Sequence, residues 1–154
     1  MNNALNLPPK VTERAFARLA EIIAKLRAPD GCPWDREQTL ASLAPYVLEE
    51  AAEVVDAIER GDLAHLREEV GDLLFEGVFL AQVASDERGF TVADALDTVN
   101  AKLVRRHPHV FDRERELSTD AVKAQWDVIK RGEKAARLQS LLARLTQYLQ
   151  SYTQ

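Results

Sequence analysis

The sequence predicts an all-α fold, a helical bundle with an extended C-terminal helix. Apolar residues recur every three or four positions through most of the chain, which is typical of amphipathic helices. No segment alternates apolar and polar residues as a half-buried strand would. Most of the six glycines and six prolines fall between the periodic segments, where they end helices and form turns.

The composition is that of a soluble globular protein with one domain. The chain has 154 residues, of which 46% are hydrophobic and 29% charged. A net charge of −5 gives no basic field to hold a nucleic-acid polymer, so we expect no such partner. No apolar run approaches a membrane span and the N-terminus lacks a signal-peptide core, so we expect no membrane partner. The single cysteine, Cys32, favours a cytoplasmic location.

The first predicted helix runs from Thr12 to about Arg27, after a flexible N-terminus of residues 1–11. A loop rich in proline and glycine follows and carries Trp34. This tryptophan is a candidate to close over a substrate pocket, and the alternative is that it plugs the edge of the core. A short helix over residues 36–43 is predicted next.

The next two predicted helices are joined by a turn at Gly61. The first begins near Pro45, because a proline in the first turn costs little, and it ends before the glycine. Asp62 caps the second helix, which runs to about residue 85. Apolar stripes predict the core-facing sides: Val47, Ala51, Val54 and Ile58 on the first helix, and Leu66, Val70, Leu73, Leu74, Gly77 and Leu80 on the second.

Four carboxylates border these two stripes. Glu50 and Glu53 lie three residues apart on the first helix, and Glu69 and Asp72 do so on the second. This spacing sets the members of each pair side by side on one helix face. Four like charges meeting across a helix pair would repel strongly unless cations lay between them. Glu49 is turned away from the pair Glu50 and Glu53, so it is a weaker ligand candidate or a group that lies behind the ligands.

The pattern predicts a Mg²⁺ site, in which Mn²⁺ could substitute. Mg²⁺ takes oxygen ligands, keeps several waters and bridges protein carboxylates to substrate phosphates. Bound there, it would polarise a phosphoryl oxygen and lower the pKa of an attacking water. A solvated acidic face is the alternative for either pair alone. A di-iron site is disfavoured, because it needs two Glu-x-x-His motifs and the nearest match is a single Asp62-x-x-His65.

The C-terminal third predicts two further helices and a source of positive charge. One helix runs from Thr91 to about Arg106, and a loop separates it from the last helix, which carries Trp126. Lys102 and Arg106 are candidates to bind an anionic substrate, although basic residues near a helix end often only complement its dipole. The last helix continues with a seam about two heptads long, formed by Leu138, Leu142, Leu145, Leu149 and Tyr152.

Three segments of the chain form a recognisable set: Gly31-Cys32-Pro33-Trp34-Asp35, the paired motifs Glu49-Glu50-x-x-Glu53 and Glu69-x-x-Asp72, and Lys102-Leu-Val-Arg-Arg-His-Pro-His-Val-Phe111. Over about residues 12–131 the chain resembles the MazG family of nucleoside triphosphate pyrophosphohydrolases, one of the all-α NTP pyrophosphatases. The acidic motif alone is moderately specific, and the two flanking motifs make the match strong.

The resemblance implies a dimeric helical bundle that hydrolyses the α–β phosphate bond of (d)NTPs with Mg²⁺. The products would be the nucleoside monophosphate and pyrophosphate, and nucleotide-pool cleansing would be the broad role. Water would be the nucleophile, so no protein nucleophile is needed. By motif match, the metal ligands would be Glu50, Glu53, Glu69 and Asp72, and the substrate contacts Lys102, Arg106 and Trp126, with Trp34 as a further substrate-binding candidate.

We expect residues 12–134 to form the catalytic domain and residues 135–154 a helical extension that contacts another subunit in a homodimer or homotetramer. The chain resembles the N-terminal copy of family members that carry two copies, and that copy can be the less active one. Two alternatives follow. One is a catalytically silent interaction domain whose acids bind a structural ion. The other is a related enzyme acting on dUTP or phosphoribosyl-ATP.

Overall fold

The computed structural model describes residues 9–112 and 117–151 of the chain. Within these residues the only regular secondary structure is helical, which confirms the predicted all-α class. None of the described helices combines the length and the apolar character that crossing a membrane requires. The helices are α1 (Pro9–Arg27), α2 (Pro33–Glu37), α3 (Leu40–Arg60), α4 (Leu63–Asp86), α5 (Val92–Arg106), α6 (Pro108–Phe111) and α7 (Thr119–Ser151).

Contacts within the chain define two compact units, the first ending at Asp97 and the second beginning at Thr98. In the first unit α3 and α4 pack side by side, and α1 packs on α4. The buried core of this unit is apolar and draws on all three helices: Ile23 from α1, Leu43 from α3, and Val78, Phe79 and Val83 from α4. Burial of these side chains stabilises the helix arrangement that carries the predicted acids.

Several helix boundaries differ from the predicted ones. The first helix begins at Pro9 instead of Thr12, since proline suits the first helical position. The predicted flexibility of residues 1–8 lies outside the described residues. The helix predicted to begin at Pro45 begins at Leu40, because Thr39 and Ser42 form a reciprocal capping box. Asp62 caps α4 as predicted, accepting hydrogen bonds from the backbone N–H groups of Ala64 and His65.

The predicted core-facing stripes of α3 and α4 are only partly right. Val70, Leu74 and Ile58 are exposed, whereas two acids of α4, Glu69 and Glu76, are buried. The reason is that α4 carries apolar residues on more than one side, so periodicity alone does not determine which side meets the core. Apolar side chains therefore remain on the surface of both helices.

The second unit contains most of α5, the short helix α6 and the long helix α7. α6 forms where a loop was predicted, since Pro108 occupies its first position. α7 is the expected extended C-terminal helix and passes through residue 134 without interruption, so the predicted domain boundary there stays a prediction. Leu138 of the predicted seam is exposed. The side chains of Leu142, Leu145 and Leu149, and all of Tyr152, lie outside what the structure describes.

Candidate metal centre

Three of the predicted acids meet between α3 and α4. Glu50 from α3 and Glu69 and Asp72 from α4 each place one carboxylate oxygen within 4.8 Å of the others. The two helices are joined by the turn at Gly61, whose backbone is left-handed with φ of 68°, and they pack against each other beyond it. The turn and the i, i+3 spacing on α4 therefore bring the three groups together.

Glu69 is the centre of this cluster. It is 5% exposed, and its carboxyl group is in hydrogen-bond contact with Glu50 and with Glu53. On its other side, Oε1 of Glu69 lies 3.3 Å from Nδ1 of His65, one turn earlier on α4. Glu53, which is exposed, thus joins the cluster through Glu69 and not through the three-oxygen set.

The electrostatics of the cluster favour a cation. Burial, followed by the charges of Asp72, Glu53 and Glu49, raises the pKa of Glu50. Burial and the contact with Glu53 likewise raise the pKa of Glu69. A hydrogen bond between two carboxyl groups needs a proton, and a divalent cation can replace that proton. The close approach of the acids is therefore compatible with full ionisation when a cation is present.

The donor set fits Mg²⁺ or Mn²⁺. Glu50, Glu69, Asp72 and Glu53 offer only carboxylate oxygens, the ligands that hard divalent ions prefer. A further buried oxygen, Oε2 of Glu76, has no hydrogen-bond partner among the described residues. Glu49 is exposed, and its charge contributes to the raised pKa of Glu50. Its place behind the ligands stays a prediction.

His65 belongs to a second group that the sequence reasoning did not assign to the site. One atom each of His65, Glu68 and Glu69 also lie within 4.8 Å of one another. The two groups share Glu69. The spacing of four residues between His65 and Glu69 was the available signal, because residues at i and i+4 meet on a helix surface.

Trp34 lies on the surface of the first unit, half exposed at 51%. Both interpretations of Trp34, closure over a substrate pocket and plugging of the core edge, stay predictions. Its ring contacts that of Tyr46 edge to face, with centroids 6.0 Å apart. Tyr46 precedes Glu50 by one turn of α3, so an exposed aromatic pair stands beside the acidic cluster.

The loop that presents Trp34 has a defined geometry. A Cβ at Gly31 would collide with the backbone carbonyl oxygens of Lys25 and Leu26, so the loop requires glycine there. The Arg27 guanidinium donates hydrogen bonds to the backbone carbonyls of Asp35 (2.5 Å) and Gln38 (3.2 Å). These contacts tie the loop to the end of α1.

The predicted cations and Trp126 belong to the second unit. Arg106 donates to Oε2 of Glu133 at 2.8 Å, and Arg105 donates to Oε1 of the same carboxylate at 2.7 Å. Glu133 was missed because nothing in its spacing links α7 to α5. Lys102 is half-buried on α5.

Two donors in the second unit are buried with no hydrogen-bond partner among the described residues, Nε of Arg106 and Nε1 of Trp126. The ring of Trp126 meets that of His107 edge to face, with centroids 5.1 Å apart, and Nζ of Lys130 lies 5.6 Å from its centroid. The ring of Trp126 thus contacts one histidine and one lysine.

The double ion pair of Glu133 predicts a pH dependence of stability. The hydrogen bonds from Arg106 and Arg105 lower the pKa of Glu133 from 4.5 to about 2. Because the folded pKa is the lower one, this stabilisation is present above pH 4.5 and is lost as the pH falls toward about 2. Glu133→Gln should therefore lower the urea midpoint near neutral pH, and its deficit should shrink in acid.

The control for this prediction is Asp127→Asn, which removes one exposed charge from the same helix. Its midpoint should track the wild-type protein at every pH. Urea titrations followed by circular dichroism measure both variants. A deficit for Glu133→Gln that stays constant between neutral pH and about pH 3.5 would contradict the ion-pair argument.

Comparison with known proteins gives a consistent set of matches. Residues 38–111 match the model of the MazG nucleotide pyrophosphohydrolase domain. The nucleoside triphosphate pyrophosphohydrolase of Escherichia coli K12 is 50% identical over 123 residues, which cover 79% of this chain and 47% of that protein. The nucleoside triphosphate pyrophosphohydrolase/pyrophosphatase MazG of Thermotoga maritima is 42% identical over 84% of this chain and 49% of that protein.

A solved structure is also similar. The crystal structure of a mazG-related protein from Thermotoga maritima superposes with a TM-score of 0.65 at 32% identity, covering 75% of this chain and 98% of that one. The chain spans about half the length of the curated relatives from Escherichia coli and Thermotoga maritima.

Proposed function

The chain belongs to the MazG family, and we propose that it hydrolyses nucleoside triphosphates at the α–β phosphate bond, giving the nucleoside monophosphate and pyrophosphate in the presence of Mg²⁺. One observation of the structure carries this proposal: oxygens of Glu50, Glu69 and Asp72 lie within 4.8 Å of one another between two packed helices. The names of the relatives from Escherichia coli and Thermotoga maritima support the class of reaction.

The four predicted acids would hold the cation. Glu50, Glu69 and Asp72 offer the converging oxygens, and Glu53 joins them through its contact with Glu69. When bound, Mg²⁺ supplies polarisation of phosphoryl oxygens and acidification of an attacking water. His65 would hold the Glu69 carboxylate in a fixed orientation through the contact of its Nδ1, as groups behind metal ligands commonly do.

The cations of the second unit would bind the phosphates of the substrate. Lys102 and Arg106 match the basic pair of the family motif and supply the positive charge that a triphosphate needs. Glu133 accepts from one nitrogen of Arg106 and thereby fixes the guanidinium, while Nε of Arg106 lacks a protein acceptor in the described part of the chain. Trp126 is the residue proposed to contact the nucleoside.

Trp34 is proposed as a second nucleoside contact. An aromatic ring that is half exposed next to a carboxylate cluster can stack against a base, whichever base it is. Tyr46 supports the ring edge to face and thereby limits the orientations it can adopt.

Product analysis tests the reaction. The chain is incubated with a panel of dNTPs and Mg²⁺, and the products are separated by ion-exchange chromatography. Equal amounts of dNMP and pyrophosphate are expected. Formation of dNDP and orthophosphate would contradict cleavage at the α–β bond, and turnover of dUTP alone would favour the related dUTP-specific enzyme. A role in cleansing the cytoplasmic nucleotide pool follows from this activity if non-standard dNTPs are turned over faster than standard ones.

We further propose that the chain assembles as a homodimer through the exposed apolar side chains of α3 and α4. Leu48 is 73% exposed and Leu63 is 78% exposed. An exposed valine follows each leucine after seven residues: Val55 follows Leu48, and Val70 follows Leu63. Such repeats on two adjacent helices suit the packing of a second helix pair. Large exposed apolar side chains that lie together are typical of subunit contacts.

The charge variants Leu48→Glu and Leu63→Glu test this assembly. Each should lower the mass measured by light scattering from that of a dimer to that of a monomer, because a dimer would bury an unpaired charge. A chain truncated after Lys134 tests the other proposed contact, the C-terminal extension. Unchanged mass in both leucine variants, with a reduced mass in the truncated chain, would place the subunit contact on α7 instead.

A further inference from the structure

Glu76 is a buried charged residue that the proposed ligand set leaves unexplained. It follows Asp72 by one turn of α4 and is only 5% exposed. Its Oε2 atom is inaccessible to solvent and has no hydrogen-bond partner within the described part of the chain. Buried polar side-chain atoms are nearly always hydrogen-bonded, because leaving one unpaired loses its interaction with water without replacement.

The charged groups that act on Glu76 are acids of the metal centre. Burial raises its pKa first, and the charges of Glu50 and Asp72 raise it further. All three influences oppose ionisation. Its other surroundings on α4 are apolar, since Val78 and Phe79 belong to the core. A carboxylate in this place is therefore explained neither by solvation nor by pairing with any basic side chain that the structure describes.

The position of Glu76 relative to the ligands limits what it can do. The oxygens that lie within 4.8 Å of one another belong to Glu50, Glu69 and Asp72, and this set does not include Glu76. Unlike Glu53, Glu76 has no contact with Glu69 among the described residues, so we assign it to the layer behind the ligands. Mg²⁺ keeps several of its waters when proteins bind it, and those waters need hydrogen-bond acceptors on the buried side of the site.

We propose that Glu76 is a fifth carboxylate of the metal centre, and that it binds the divalent cation indirectly by accepting hydrogen bonds from the ion's water molecules. The unpaired Oε2 atom is the acceptor, and because no water reaches it in the described structure, the carboxylate has to turn toward the hydrated ion when the ion binds. The inference rests on the proposed cation site, to which it adds a buried residue of α4. Groups that act on a metal through such outer contacts typically change its affinity by about 10- to 100-fold.

Cation binding in the absence of nucleotide tests this role directly. Mn²⁺ binding to the full chain is measured by electron paramagnetic resonance, and Mg²⁺ binding by calorimetry. Glu76→Gln should weaken Mn²⁺ binding by about 10- to 100-fold. The matched control is Glu59→Gln, which removes one exposed charge from α3 and should leave the affinity within about twofold, because exposed charges at a distance are screened.

A second variant and a folding readout keep the test decisive. Glu76→Asp keeps the charge but withdraws the carboxylate, so it should also weaken Mn²⁺ binding. The metal-free Glu76→Gln variant should melt no lower than the wild-type protein, because the amide removes a buried repulsion. Affinities of both Glu76 variants equal to that of the wild-type protein would overturn the inference.

Failure of the inference can be told apart from failure of the proposed function. Asp72→Asn removes one of the converging ligands and should abolish Mn²⁺ binding. If it does so while both Glu76 variants bind normally, the cation site stands and the role of Glu76 is wrong. If Asp72→Asn binds Mn²⁺ like the wild-type protein, the cation site itself is wrong.

Discussion

Asp72→Asn is expected to reduce pyrophosphohydrolase turnover by about 10³-fold, since several kcal/mol of transition-state stabilisation depend on a correctly held metal. Asp72 is exposed and contributes one of the three converging oxygens, so the amide occupies the same volume without disturbing the core. An amide keeps one oxygen but loses the charge that attracts a divalent ion. The loss should therefore appear in binding and turnover and not in folding.

Release of pyrophosphate from a dNTP at saturating Mg²⁺ gives the turnover number. Melting with and without Mg²⁺ gives a second readout that does not depend on activity, because a ligand that binds only the folded state raises the melting temperature. The wild-type protein should show this rise and Asp72→Asn should not. Glu87→Gln, at the exposed end of α4, is the matched control. Turnover of Asp72→Asn within tenfold of the wild-type value would remove this residue from the ligand set.

The proximity of the acids could be predicted because its signal is local. Spacing of three residues on a helix fixes the relative direction of two side chains without any knowledge of the fold. That is why Glu69 and Asp72 lie together as predicted. Their meeting with Glu50 needed only one further fact, the short turn at Gly61 that sets α3 beside α4.

The contacts between distant segments could not be predicted in the same way. Glu133 lies 27 residues from Arg106, and no spacing rule connects them. Glu76 shares a face with Asp72, but the sequence does not reveal that this face is closed to solvent at Glu76 and open at Asp72. Such differences arise from tertiary packing, which decides burial residue by residue.

The choice of the core-facing side of α4 shows the same limit. Val70 and Leu74 fit an apolar stripe as well as Phe79 and Val83 do, yet the first pair is exposed and the second is buried. When a helix is apolar on two sides, one side can face the core while the other stays exposed. The positions of α1 and α3 determine which side of α4 is buried.

Phe79→Ala is expected to destabilise the first unit by about 3–5 kcal/mol, because truncating a buried aromatic side chain loses its burial and leaves a cavity. Phe79 is 1% exposed and belongs to the core that joins α1, α3 and α4. Its ring contacts that of Phe75, with centroids 5.4 Å apart, and the Arg27 guanidinium lies 5.8 Å from its centroid. The cavity would thus also loosen the residue that ties the Trp34 loop to α1.

Leu74→Ala is the matched comparison, because it truncates a large apolar side chain of the same helix that is 53% exposed. Its cost should stay well below that of Phe79→Ala, since half of its side chain is already in water. Urea denaturation followed by circular dichroism measures both. Equal costs at all protein concentrations would contradict the assignment of the buried side of α4. A cost at Leu74 that grows with protein concentration would instead show that a second copy covers this surface, since subunit association stabilises by mass action.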